Sequence, residues 1–431
     1  MPLRGADLVL LAMQELWRGH GVSNNTVMVV ECDGALDLPR LRRALDRFVD
    51  ICPWPIARLR RSFPWGALHW AVDARNARVA PPLRHRLVGS PAALHREVEA
   101  ELNAAIDPRR EPPIRLAILD EQRGPAAPRS WLVVTWFHPL MDPRGGQNLL
   151  AHLAHLDETD GRAPWAGVPP PFVPTPDRRP LRERGRLGRR SQRYLRTLIP
   201  ALPVSPGTSL TRPGRARFRQ ESFVGGKCAV GEGRVTREIS FRLAVVGRTM
   251  AELWRRRGLP DTPFLVPIAV DLRPKGEAGP TFGNVLGFHF ARFRPSETAD
   301  LSGLVRALRQ QMVDALRDGQ IEANAVGMEF LRYRPVSVML RDLPGTHARE
   351  TFSFNCADLR DFPAVPLFGR RILNAYHVPS VLPRPGVGVF FNRCGPTSNL
   401  VISWIDGAVT EDDVARMVEV VRVEMGWVRA S

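Results

Sequence analysis

Residues 131–146 read WLVVTWFHPLMDPRGG. Trp131 to Phe137 is rich in Val, Trp, Phe and Thr, the composition of a buried pleated strand, and the run stops at His138-Pro139. Polar chemistry therefore begins where the strand ends. His138 and Asp142 are four residues apart, and Pro143, Gly145 and Gly146 behind them continue poorly as helix or strand, so a loop is expected there. A rigid strand end is a good mount for an imidazole, whose ordinary pKa of about 6.5 suits proton transfer near neutrality. Asp142 is placed to orient the ring or to pair with an arginine and hold the loop. On the residues alone, a surface histidine beside a turn-forming aspartate is the competing description.

Toward the N-terminus, LVLLAMQELW (residues 8–17) predicts a short amphipathic helix, and Thr26 to Cys32 a strand. Asp37 is set to cap a helix with Pro39 in its first turn and Leu41, Leu45, Phe48, Val49 and Cys52 on one face. Strands are expected at Gly66–Val72 and Arg84–Val88, and a helix at Ala92–Ile106. Pro112 to Leu119 then leads through a polar loop into the His138 strand. Past the motif, Asn148 to Leu156 predicts a helix with Leu149, Leu150, Leu153 and Leu156 inward. His152 and His155 share that helix, but no third ligand in register makes them a metal site.

From Asp157 to about Pro213 prolines interrupt regular structure, and Arg178 to Arg196 is strongly basic. Leu187, Tyr194, Leu195 and Leu198 suggest one side of a short helix over Gly188–Ile199, suited to a membrane surface or an acidic carrier, or else simply solvated. Beyond it, a strand is expected at Val235–Phe241, a helix at Leu243–Arg257, and a buried strand at Phe264–Leu272 running into Arg273-Pro274. Gly279 to Gly287 reads GPTFGNVLG, in which Gly283 permits close backbone approach and Asn284 can donate and accept hydrogen bonds. Asp300 to Leu316 keeps helical spacing of apolar residues. Thr351–Cys356, Val387–Asn392 and Leu400–Ile405 read as strands, and a last helix starts after Thr410 with Asp413 completing a partial capping box.

The chain of 431 residues, 44% of them hydrophobic, is long enough for two cored domains. A formal charge of +17 and a pI near 11.1 attract acidic partners: nucleic acid, anionic lipid, a phosphorylated cofactor or an acidic carrier protein. Aromatics make up only 7%, without basic-aromatic interleaving, so no specific nucleic-acid platform is expected. The five cysteines, Cys32, Cys52, Cys228, Cys356 and Cys394, lie far apart with no CxxC pair, which suggests reduced thiols and a cytoplasmic protein. No signal peptide or membrane span is legible. No Walker A, HExxH, GxSxG or complete GxGxxG pattern occurs, so the nucleotide hydrolysis, zinc proteolysis and serine-hydrolase classes have no support.

His138-Pro-Leu-Met-Asp142 resembles the HHxxxDG motif of the CoA-dependent acyltransferase superfamily, which includes chloramphenicol acetyltransferase, peptide-synthetase condensation domains and bacterial wax ester synthases. The resemblance implies that His138 is the catalytic second histidine and Asp142 the structural aspartate. Two positions depart: Phe137 stands for the first histidine and Pro143 for the glycine. Proline has no N–H, so position 143 cannot donate to an oxyanion. CDGALDLPRLRRALDRFVDICPWPIARLRR (residues 32–61) is similar to the opening of condensation and wax-ester-synthase-like chains. VPIAVDLRP (266–274) followed by FGNVLG (282–287) is similar to their strand-Arg and Gly-Asn pattern, which aligns Gly283 and Asn284 with site-lining positions.

What the resemblance implies is an α/β fold of two chloramphenicol-acetyltransferase-like lobes, each a mixed sheet covered by helices, with an active-site tunnel between them. The lobes would be residues 1–156 and 214–431, joined by a Pro/Arg-rich crossover over 157–213. The implied activity is acyl transfer from a CoA or carrier-protein thioester to an alcohol or amine, with His138 as general base and Phe137, Pro143, Gly283 and Asn284 lining the substrate. Acyl-CoA or a phosphopantetheine-linked thioester would be the donor, with no permanent cofactor or metal. The alternative is a condensation-like fold that is non-catalytic or repurposed to bind a carrier protein.

Overall fold

A computed structural model of the chain describes residues 3–14, 23–62, 66–72, 80–122, 129–159, 177–198, 214–226, 234–273, 281–336, 338, 352–362 and 366–430. In chain order the first half runs α1 (Gly5–Gln14), β1 (Asn25–Cys32), α2 (Leu38–Ile51), β2 (Arg58–Arg61), β3 (Leu68–Ala71), β4 (Leu83–Val88), α3 (Pro91–Asn103), β5 (Ile114–Glu121), β6 (Ser130–Phe137), α4 (Pro143–Glu158) and α5 (Leu181–Thr197). The second half continues with β7 (Ala216–Gly225), α6 (Arg234–Arg256), β8 (Phe264–Asp271), β9 (Leu286–Phe293), α7 (Leu301–Arg317), α8 (Gln320–Glu329), β10 (Asn355–Asp361), β11 (Ile372–Pro379), β12 (Val387–Cys394), β13 (Thr397–Ile405), α9 (Glu411–Met425) and β14 (Trp427–Arg429).

The motif strand β6 is the central member of a five-stranded sheet, β11-β1-β6-β5-β4, mixed because β4 and β5 run parallel while the other pairs are antiparallel. Its continuous apolar composition follows from burial on both faces. Leu132, Val134 and Trp136 face the core under α2 and α4, and Val133 faces a second core with Val27, Val29, Val98 and Leu102. That second core also holds Phe218, Phe390, Val401 and Ile405, so it joins the first sheet to the second. The second sheet has the order β10-β12-β13-β7-β14, with β10 and β12 parallel and the rest antiparallel. Helices α6 and α9 cover it, burying Trp254 and Val418 among others, and α7 packs Leu308 beside α6 and β9. The fold is thus α/β in two lobes, each a mixed sheet covered by helices.

The first sheet takes its edge strand β11 from the second half of the chain, beyond residues 1–156. Strand β11 reads ILNAYHVP, whose Asn, His and Pro hid it from pattern reading. The crossover contains a regular helix: α5 is already formed at Leu181, longer than the segment expected from Gly188. Residues 160–176 and 199–213, which include most of its prolines and Ile199, lie outside the described residues, as do Cys228, Gly279 and Thr351.

Two expectations change. Val235 to Phe241 is the first part of the continuous helix α6, because Ile239, Leu243, Val246, Met250 and Leu253 keep one helical face despite their β-branched and aromatic neighbours. Helix α4 begins at Pro143 and has no loop before Asn148. Asp142 caps it, and proline is pre-set for the first helical position, where its missing N–H costs nothing. The glycine-containing stretch ends in a strand, β9, paired with β8 in register Val266 to Ala291.

Candidate active site

His138 begins a short 3-10 turn, His138–Leu140, where β6 ends, and its N–H donates to the Asn24 carbonyl at 2.7 Å. The side chain is half-buried and lines a cavity of about 970 Å³ between the two lobes. Ring atom Nδ1 is buried and makes no well-aligned hydrogen bond, which leaves Nε2 as the nitrogen turned to the cavity. Burial lowers the His138 pKa from its ordinary value, while its own backbone, the Asp142 carboxylate and the Met141 backbone pull the other way. The ring is therefore held neutral at pH 7, in the form that accepts a proton.

Asp142 is 1% exposed and spends both carboxylate oxygens on structure. Oδ1 accepts from the Gly145 N–H at 2.7 Å and from the Arg273 guanidinium at 2.7 Å, and Oδ2 accepts from the Val285 N–H at 3.1 Å. Arg273, at the end of β8, is the arginine the sequence left unnamed. It also donates to Asp271 at 3.1 Å and to the Gly283 carbonyl at 2.8 Å. Burial pushes the Arg273 pKa down, but Asp142 and Asp271 outweigh it and hold the guanidinium above its ordinary value. This buried pair ties the histidine motif of the first half to the Arg273 and Gly-Asn stretches of the second.

Glycine makes the same junction close. A Cβ on Gly145 would lie 1.9 Å from the Phe282 carbonyl oxygen, and one on Gly146 would lie 2.9 Å from the Trp136 ring. The Trp136 indole N–H in turn donates to the Met141 carbonyl at 2.8 Å, bracing the turn from below.

Of the residues expected to line substrate, Pro143 lies on the cavity wall. Phe137 does not: it is packed in the first core beside Trp136, at 1% exposure, where the strand ends and passes into the His138–Leu140 turn. Gly283 is off the wall, and a Cβ there would meet nothing within 4 Å, so close approach is not what it provides. Asn284 is buried behind the motif, donating to the Asp7 carboxylate at 2.7 Å and to the His138 carbonyl at 3.2 Å. It touches the backbone of His138 and is off the cavity wall.

Asp7 was not anticipated. It is 5% exposed on α1, accepts from the Arg4 N–H at 2.7 Å, and holds Asn284 against His138. Burial raises its pKa to about 7, although the Arg4 N–H and the Asn284 amide pull downward. A carboxylate standing directly before the apolar run LVLLAM was the available signal. His152 packs edge-on against Phe48, 5.6 Å between centroids, and beside Phe282.

The rest of the chamber is largely apolar, with Leu195, Leu265, Ile268, Phe288, Phe330 and Phe390 on its walls. Helix α5 forms one side. It crosses α8 closely because Gly188 and Gly327 give room, a Cβ at either coming within 2.9 Å and 2.8 Å of Phe330 and Ser191 respectively. Ser191 donates to Asn324 at 2.9 Å inside that crossing. No helix among the described residues is long and apolar enough to cross a membrane.

Solved condensation domains and an acetyltransferase have a similar fold. The chain superposes on the starter condensation domain of rhizomide synthetase RzmA with a TM-score of 0.62 at 13% identity, covering 98% of this chain and 96% of that one. A variant of that domain in complex with C8-CoA and Leu-SNAC gives 0.66 at 13% identity, over 99% and 94%. TRI3 trichothecene 15-O-acetyltransferase from Fusarium sporotrichioides gives 0.68 at 12% identity, over 99% and 94%. No protein-family model matches the chain, and no curated protein sequence matches it. At such identities the likeness establishes the fold, and it spans nearly the whole chain.

Proposed function

We propose that the protein is an acyltransferase that moves an acyl group from a CoA or carrier-protein thioester to an alcohol or amine, with His138 as general base. The observation that carries this reading is the His138 ring on the wall of the inter-lobe chamber, beside the buried Asp142–Arg273 pair. Similar solved structures include a domain bound to C8-CoA and an acetyltransferase, which supports a thioester donor.

In the reaction, Nε2 takes the proton of the acceptor O–H or N–H as that oxygen or nitrogen bonds to the thioester carbon. The tetrahedral centre then collapses, the carbon–sulfur bond breaks, and the imidazolium returns its proton to the departing thiolate. The thioester is already activated, so holding both reactants beside one base supplies much of the rate. Pro143 on the wall has no N–H to offer a developing oxyanion, so that donor belongs to another part of the chamber. The apolar walls suit a hydrophobic acyl or acceptor group.

The test is release of free thiol from acyl thioesters in the presence of alcohols and amines. His138→Ala is expected to lower turnover by roughly two to four powers of ten with the melting temperature retained. Because burial lowers the pKa of the base, the acidic limb of the wild-type rate falls below pH ~6.5. Unchanged turnover in the variant ends the proposal. Pro143 favours a second reading, a repurposed carrier-binding module: it predicts no thiol release from any thioester but saturable binding of a phosphopantetheinylated carrier.

A further inference from the structure

Helix α5 carries Arg182, Arg186, Arg189, Arg193 and Arg196 at alternating spacings of four and three, which places all five on one face. All five are exposed. Among the described residues none of them forms an ion pair or hydrogen bond. Most other arginines of the fold are engaged, as in Arg115–Glu101, Arg242–Asp358 and Arg248–Glu424. Like charges at these spacings repel, so the stripe works against the helix that bears it, and a bound anion would relieve that repulsion.

Its position says which anion. Arg189 and Arg196 line the same chamber as His138, together with Gln192 and Leu195 of α5. Arg182, Arg186 and Arg193 continue the stripe beside them, outside the cavity wall. Two members of the stripe are therefore on the chamber wall, where Arg189 and Arg196 stand roughly 10 Å apart along α5 at the rise of an α-helix. The apolar side of α5 is spent on α8 and the chamber, and Leu181 is its one large hydrophobic that is exposed, which argues against a lipid surface.

We propose that Arg189 and Arg196 bind the phosphates of a CoA-type nucleotide, so that the donor is taken as free acyl-CoA and its pantetheine arm enters past α5 toward His138. Guanidinium groups suit the 3′-phosphate and the 5′-pyrophosphate through paired N–H donors. The remaining three arginines extend the positive field that draws the nucleotide in. This rests on the acyl-transfer reading and deepens it by naming the donor class and its side of entry.

The experiment compares one acyl group carried by CoA, by N-acetylcysteamine, which lacks the nucleotide, and by a phosphopantetheinylated carrier protein. In the wild-type protein acyl-CoA is expected to show at least a tenfold lower KM than the nucleotide-free thioester, with adenosine 3′,5′-bisphosphate competing against it. R189E/R196E is expected to erase most of that preference and the competition, whereas R255E, an equal charge change per site at an exposed position of α6, keeps both. Equal KM for the two small thioesters in the wild type, or a retained preference in the double variant, overturns the proposal. So does a wild-type preference for the carrier-borne thioester that the double variant loses, which would make the stripe a carrier dock. Turnover of the nucleotide-free thioester and its loss in H138A report on acyl transfer separately, so failure of the phosphate site and failure of the transfer reading are told apart.

Discussion

Replacing Arg273 with methionine tests the junction on which the site is built. In the wild type its guanidinium is 10% exposed and that of its partner carboxylate, Asp142, 2%. Removing one member of a buried pair leaves the other charged and desolvated, which typically costs about 3–5 kcal/mol. Here Asp142 keeps two main-chain donors, Gly145 and Val285, so the lower end of that range is expected, about 3 kcal/mol. Asp271 and the Gly283 carbonyl lose a donor as well, which keeps the figure from falling further. Arg273→Met should therefore lower the urea midpoint measured by tryptophan fluorescence. It should also reduce thioester turnover by roughly a hundredfold, since a displacement of about 1 Å at the base is enough for that. The double variant Asp142→Asn/Arg273→Met should be less unstable than the sum of the single variants, because the second change removes the charge the first left stranded. A loss below ~1 kcal/mol in Arg273→Met, or strict additivity in the double variant, would refute the idea that this pair holds the two motifs together.

Asp7 predicts a pH effect on stability. Its folded pKa of about 7 lies above the ordinary carboxylate value, so the stability it contributes is complete at low pH and is lost as pH rises through about 7. Asp7→Asn should flatten the fall in melting temperature between about pH 5 and 7.5; parallel slopes for the two proteins would show that this carboxylate titrates normally. Gly145→Ala should destabilise by roughly 2–3 kcal/mol, because the new Cβ meets the Phe282 backbone, while Gly283→Ala, with open space around it, should stay within about 0.5 kcal/mol. Thermal melts of the two variants decide this, and equal losses would contradict the packing. Pro143→Gly should cost about 0.4–1 kcal/mol through unfolded-chain entropy, yet change kcat more than that, since it restores an N–H on the chamber wall. Unaltered kinetics would place this residue outside the reacting centre.

Much of the scaffold was open to inspection of the chain alone. The strand before His138, the capped helix after Asp37, the helix after Asp300 and the last helix with its Thr410–Asp413 box depend on local composition, periodicity and caps, and these operate over a few residues. The two-lobe plan was legible for the related reason that the chain resembles a family of that fold. Competing local signals misled. Val235 to Phe241 looked extended by its β-branched and aromatic residues, but Ile239 continues the helical face of Leu243 and Val246, and Pro143 looked like a break but began a helix because Asp142 caps it.

Tertiary structure alone decided the rest. Which arginine meets Asp142, that Asn284 serves the backbone of His138 through Asp7, that Phe137 packs in the first core, and that α5 forms one wall of the chamber all depend on residues far apart in sequence. Ion pairs, buried amides and cavity walls depend on distances of a few ångströms between segments separated by more than a hundred residues, and no local period or composition records such a distance.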